Sequence, residues 1–232
     1  MELKTIADVL KDILAECWII FDETTIKITN VDPEKIIVVN LCLTPKQGYT
    51  CSTAFTFPLY AQTLYRVLRG VKSTDQAILQ DGTDKSLHIS IATANSVIKN
   101  EITLQPLRNS LPLFHIPPRI HECQVTINSQ QFYHILHDLA ALSRQVTITI
   151  RHQVVEFRSQ DDQGTLSVIS QHFPEMSTMV QYKSTFIIKY LEKFSKPALA
   201  ESILLQFTTG APLNVIYHLP NGYLDMSIAS LG

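Results

Sequence analysis

His134-Ile-Leu-His137-Asp138 comes nearest in this chain to a catalytic constellation. Two histidines three apart share a helix face, and with an adjacent aspartate they could hold a metal ion for phosphoester hydrolysis. Such a centre needs further His and Asp ligands. The remaining histidines (His88, His115, His121, His152, His172 and His218) fall on strand-like segments or in a proline-rich stretch, so a solvated surface pair is the favoured reading. There is no glycine-rich phosphate loop, no His-Glu-x-x-His and no nucleophile elbow. Neither catalysis nor a cofactor or metal is expected. The other chemistry is cationic. Lys4 and Lys11 are seven apart, Arg66, Arg69 and Lys72 are three apart, and Lys189, Lys193 and Lys196 are four and three apart. Each set shares one helix face, and His134 and His137 take the matching stripe of a further helical segment. Cations spaced this way meet phosphates through long side chains and water without reading bases. One such stripe alone would merely solvate a helix; three of them in a chain of net charge −2 indicate charge sorted onto one surface. Asp8 and Glu192 interrupt the stripes.

The 232 residues suit one large or two modest domains, and 45% hydrophobic against 17% charged residues supplies a sizeable core. A pI near 6.4 excludes a uniformly basic nucleic-acid binder. Cys17, Cys42, Cys51 and Cys123 are scattered without a Cys-x-x-Cys pair, as in a reduced compartment. Glu2, Lys4 and Asp8 argue against a signal peptide. No apolar run has the length of a membrane span, and no Asn-x-Ser/Thr sequon occurs. A soluble intracellular protein is expected.

The elements that must position these groups repeat. Apolar spacing predicts helices over Leu3–Glu16, Leu59–Lys72, Gln130–Leu142 and Thr185–Ser195. Strand-like runs follow the first helix at Trp18–Phe21, Thr25–Asn30 and Lys35–Leu43, with Asp32-Pro33 as a turn, and the second at Gln76–Gln80, Ser86–Ala92 and Val97–Leu107, with Asp81-Gly82 as a hairpin turn. The pattern restarts with Gln124–Ile127. It continues through Val146–Ile150, Val154–Arg158 and Thr165–Gln171, then Ser202–Thr208, Leu213–Leu219 and Tyr223–Ala229. Two halves of two helix-then-strands units make an α+β duplication. The expected boundaries are 1–108 and 123–232, with a connector at 109–122 that Pro112, Pro117 and Pro118 hold extended.

Laid out in this order, the chain resembles the proliferating cell nuclear antigen family of sliding clamps, divergent viral members included, over nearly its whole length. The resemblance rests on Lys11-Asp12-Ile13 with Cys17-Trp18, Ile116-Pro117 with Cys123, and Phe132 with Asp138-Leu139. Phe186 with Lys189-Tyr190-Leu191, Ala211-Pro212-Leu213 and Ile228-Ala229 complete it. It departs from the family where a strand should precede the first helix. It departs again where Ser227-Ile228-Ala229-Ser230 stands for the family's Tyr-Leu-Ala-Pro.

The resemblance implies a duplicated clamp fold and a non-enzymatic polymerase processivity factor that encircles duplex DNA in the nucleus or a viral replication compartment. An ATP-dependent loader and replication or repair enzymes carrying short peptide motifs would be its partners. The DNA-facing residues would be Lys4, Lys11, Arg66, Arg69, Lys72, His134, His137, Lys189, Lys193 and Lys196, the two histidines standing where many members have arginine. Val31, Lys35, Phe114, Ile116, Pro117, Pro212, Ser227, Ile228 and Ala229 would line the partner-peptide groove. Ile102, Leu104 and Leu107, from the segment Ile102–Leu107, would pair with Thr165, Leu166 and Val168 of a neighbouring copy in a homotrimer. A subunit of a heterotrimeric checkpoint clamp, a clamp-like factor that forms no ring and, further off, a metal-dependent His-Asp phosphohydrolase are the alternatives.

Overall fold

The computed structural model describes residues 2–45, 49–72, 74–82, 84–93, 98–108, 121–162, 164–172 and 181–231. The first half runs α1 (Glu2–Ile13), β1 (Glu16–Phe21), β2 (Ile26–Val31), β3 (Ile37–Leu43), β4 (Phe55–Tyr60), α2 (Ala61–Leu68), β5 (Gln76–Asp81), β6 (Leu87–Ala92) and β7 (Ile98–Leu104). The second half repeats that order after an extra strand, β8 (Cys123–Asn128). It comprises α3 (Ser129–Ala140), β9 (Gln145–Arg151), β10 (Val154–Gln160), β11 (Thr165–His172), β12 (Tyr182–Ile187), α4 (Ile188–Phe194), β13 (Ser202–Phe207), β14 (Leu213–Leu219) and β15 (Gly222–Ile228). The expected α+β duplication is thus the architecture found.

Side-chain period explains each element. In α1, Ile6, Ala7, Leu10 and Ile13 make one buried face; in β3, Ile37, Val39, Leu41 and Leu43 alternate inward. Helix α3 has a polar cap at its start: the Asn128 side chain accepts from the backbone amides of Gln130 and Gln131 at 3.0 and 3.1 Å. Helices α2 and α4 grow straight out of strands, and their N-cap residues, Tyr60 and Ile187, make no side-chain cap bond. Two expectations are corrected at these places. β4 lies where no strand was expected, and β12 occupies the start of the expected helix Thr185–Ser195. The Asp81-Gly82 hairpin forms with a longer loop, Gly82 N–H donating to the Ser86 carbonyl at 2.8 Å.

Three antiparallel sheets result, ordered β4-β1-β2-β3-β15-β14-β13-β8, β11-β10-β9-β12 and β5-β6-β7. The first joins the halves, with Ile37 opposite Ile228 and Leu43 opposite Gly222. Gly222 has φ +151, and a Cβ there would lie 1.9 Å from the Cys42 carbonyl oxygen, so this seam admits only glycine at that position. Helices α1 and α2 pack together, as do α3 and α4, and α1 touches α4 across the seam. None of the four cysteines forms a disulfide. Burial pushes the Cys17 thiol up to about 12, which keeps it neutral.

Candidate nucleic-acid interface and partner surfaces

The helix faces turned from the core carry the cations, but neighbouring carboxylates divide them into two classes. On α1, the Lys11 ammonium lies 3.0 Å from Asp8 and 2.6 Å from Asp12, and 4.8 Å over the Tyr65 ring. Lys196, just beyond α4, reaches the other Asp12 oxygen at 2.9 Å and so bridges the two halves. Burial pushes the Asp12 carboxyl up, yet the hydrogen bonds from Lys11 and Lys196 outweigh it and hold the group below the usual carboxylate range. Burial likewise works against the Lys11 charge, and Asp12 and Asp8 outweigh that too, leaving it above the usual lysine range. Lys4 is half-buried and donates to the Val71 carbonyl at 3.3 Å. These three of the expected DNA-facing residues are committed within the chain.

The second class faces solvent. Arg66, Arg69 and Lys72 are exposed along and just beyond α2, and Lys189 is exposed on α4. Lys189 and Lys193 both lie over the Tyr190 ring, at 5.6 and 5.5 Å, which braces their stems. Tyr190 is itself fixed by donating its hydroxyl to Glu34. On α3, His134 and His137 are exposed; His134 lies 2.9 Å from the Gln130 amide nitrogen, and the Tyr133 ring sits beside both imidazoles. Among the described residues no three His, Cys, Asp or Glu side chains gather as metal ligands would.

Spacing along helices missed Arg144, which follows α3 in a turn. Its carbonyl accepts from Ile188 N–H at 2.9 Å. That bond brings Arg144 to Lys189 around a cavity of about 580 Å³, also lined by Tyr190 and Glu192. A helical period cannot register a residue beyond the helix; only the fold places it.

Several residues expected to line a peptide groove fall at the seam. Strand register sets Val31, Val38, Ser227 and Asn214 in one row across β2, β3, β15 and β14. Ser227 is 3% exposed, and its hydroxyl donates to Asn214 Oδ1 at 2.7 Å, giving the row a polar floor. Ile228 is a correction. It shares the inward face with Leu224 and Met226 and is 0% exposed, so its side chain belongs to the core. Ala229 is exposed, its N–H donating to the Ile36 carbonyl at 3.1 Å; Lys35 is exposed at the β2–β3 turn, and Pro212 is half-buried. Phe114, Ile116 and Pro117 lie outside the described residues.

Among the described residues β7 pairs only with β6 and β11 only with β10, so each leaves an edge unpaired. Ile102 and Leu104 on β7 pack partly on the core, as does Val168 on β11, while Thr165 and Leu166 are exposed. Leu107 is a second correction. β7 ends at Leu104, and the Leu107 N–H turns back to the Pro58 carbonyl of β4 at 2.9 Å.

Family models cover the same two halves. The N-terminal domain of proliferating cell nuclear antigen matches residues 2–107, and the C-terminal domain matches residues 115–230. The chain belongs to the proliferating cell nuclear antigen family. Among individual relatives, the chain is 26% identical to proliferating cell nuclear antigen of Chaetomium thermophilum over 98% of its own length and 93% of that protein. It is 24% identical to the Saccharomyces cerevisiae protein of the same name, over 86% of the chain and 82% of the relative. It is 22% identical to a probable DNA polymerase sliding clamp of Paramecium bursaria Chlorella virus 1, over 90% and 88%. In this clamp-family member β8 precedes α3 in the second half, and among the described residues the exposed helix cations lie mainly on and beside α2 and α4.

Proposed function

We propose that the chain is a DNA polymerase processivity factor that closes head to tail into a homotrimeric ring around duplex DNA. One observation carries the ring. Within the chain, the last strand of the second half, β15, pairs antiparallel with the third strand of the first half, β3. By the duplication β7 corresponds to β15 and β11 to β3, and these two counterparts have open edges among the described residues. Joining β7 of one copy to β11 of the next repeats the internal seam, and unlike edges joined in this way generate a ring when the rotation closes. Repeating the seam also carries the helices forward on one side, so Arg66, Arg69, Lys72, Lys189, Lys193 and Arg144 would line the hole. Such phosphate contacts hold DNA without fixing a register, which lets the ring slide.

The chain contributes tethering and no catalysis of its own; polymerases and other replication or repair enzymes would dock on the outward row at the seam, and an ATP-dependent loader would open the ring. It would work wherever the genome it serves is copied, in a nucleus or a viral replication compartment. The mixed charge around Asp12 favours a second reading, a subunit of a heteromeric ring. Loading on a closed circular plasmid tests the first. Retention on the circle and release on linearisation are expected; identical retention on both forms would contradict encirclement.

A further inference from the structure

On the face of the second sheet turned from the core, cations gather that neither the helix-lined surface nor the seam uses. In β9, Val146, Ile148 and Ile150 point inward, so Thr147, Thr149 and Arg151 point outward; in β10, Val155, Phe157 and Ser159 are inward and Glu156 and Arg158 outward. Register places Lys183 of β12 beside Thr149 of β9, which stands in turn beside Glu156 of β10, and Arg158 beside Thr147. These side chains enclose an open groove of about 300 Å³. Arg151, Arg158 and Lys183 are exposed and belong to none of the ion pairs among the described residues. The carboxylate in the groove, Glu156, accepts from the Ser167 hydroxyl. Directly opposite Glu156 on β11 stands Ile169, 69% exposed, the most exposed large apolar side chain described.

We propose that this groove is a second partner-docking surface, which takes an acidic peptide segment bearing one apolar anchor. Guanidinium forks pair bidentately with carboxylates, and the threonine hydroxyls and Glu156 offer partners to peptide amides. Ile169 supplies an apolar contact at the rim, where an acidic segment could set down a leucine or similar side chain. Nucleic acid fits less well. The groove has no aromatic ring on which a base could stack, and Glu156 would repel a continuous phosphate backbone. Three cations concentrated here in a chain of net charge −2 are a local arrangement, and the groove lies apart from the α2 and α4 cations that would hold DNA.

The test is fluorescence anisotropy on the full chain with a short labelled glutamate-rich peptide containing one leucine, and a labelled single-stranded oligothymidylate in parallel. Saturable peptide binding is expected, about tenfold or more weaker in the double variant Arg158→Glu, Lys183→Glu, and weakened also by Ile169→Ser. Duplex retention on circular DNA should be unchanged in the double variant, whose positions lie on β10 and β12 away from the β11 edge. Should the double variant fail to fold, the single Lys183→Gln, at an exposed position, should still weaken the peptide measurably. Peptide binding indifferent to both charge changes would overturn the proposal. So would tighter binding of the oligonucleotide that the same substitutions abolish, which would make the groove a nucleic-acid surface.

Discussion

Asp12 decides which cations are free. Its two oxygens hold Lys11 and Lys196, so a helix face that looks basic in sequence is close to neutral around this residue. Asp12→Asn should release Lys196, leave Lys11 to Asp8, and tighten duplex binding, steepening the dependence of log affinity on log salt by up to about 0.9 for each phosphate newly neutralised. Lys11→Ala should hardly change that slope, whereas Arg66→Ala combined with Arg69→Ala and Lys189→Ala should flatten it by about 0.9 for each phosphate left without its cation. Salt-titrated binding to a short duplex measures all three; an unchanged slope in the triple variant would remove these residues from the DNA surface. The pairs are partly exposed, so their net share in stability is small, about 0–1 kcal/mol. Its sign with pH follows from the lowered Asp12 value. The contribution is complete above the ordinary carboxylate range and is lost as pH falls through the lowered one. In Asp12→Asn the acid limb of a melting-temperature profile should therefore be slightly shallower.

At the scale of elements, the short helix α4 is held by its end as much as by its face. The buried Tyr217 hydroxyl of β14 donates to the Phe194 carbonyl at 2.6 Å and accepts from Lys196 N–H at 2.9 Å. Burial raises this hydroxyl above the ordinary tyrosine range despite the Lys196 hydrogen bond, so it stays a neutral donor. Tyr217→Phe should leave these backbone groups only their bond to each other, Lys196 N–H to the Phe194 carbonyl at 3.0 Å, and destabilise the fold by about 0.5–1.5 kcal/mol. Urea denaturation reads this, and hydrogen exchange should rise first in α4. No periodicity in the chain discloses the Tyr217 contact, which joins groups 21 and 23 residues apart. The repeated order of helices and strands, by contrast, was readable, because Ile37, Val39 and Leu41 alternate cleanly and α3 opens on Asn128. β4 and β12 were not. Each runs into a helix through Tyr60 or Ile187, so no polar cap marks where period two becomes period 3.6. The site shows the same limit. Spacing found the exposed cations Arg66, Arg69 and Lys189, but it could not see that Asp12 claims Lys11, nor that a backbone bond carries Arg144 to Lys189.

At the scale of the molecule, the seam inside the chain and the seam expected between chains are the same construction, and they can be broken separately. Gly222→Ala attacks the internal one, where any Cβ meets the Cys42 carbonyl. Strain at a left-handed position without room should destabilise the monomer by more than about 1 kcal/mol. Leu166→Glu attacks the external one. Leu166 is 37% exposed on the open β11 edge, so a carboxylate there stays solvated in a single chain but would be desolvated beside β7 of a neighbour. Light scattering over a range of concentrations should give three times the 26.2 kDa chain mass for the unmodified protein. Leu166→Glu should give a single chain mass with little loss in melting temperature beyond the concentration-dependent part that assembly supplies. Loss of retention on circular DNA in the same variant would then tie the ring to the tether. A trimer that survives Leu166→Glu would place the contact on another edge, and a chain that is monomeric before any substitution would turn the reading toward a heteromeric ring.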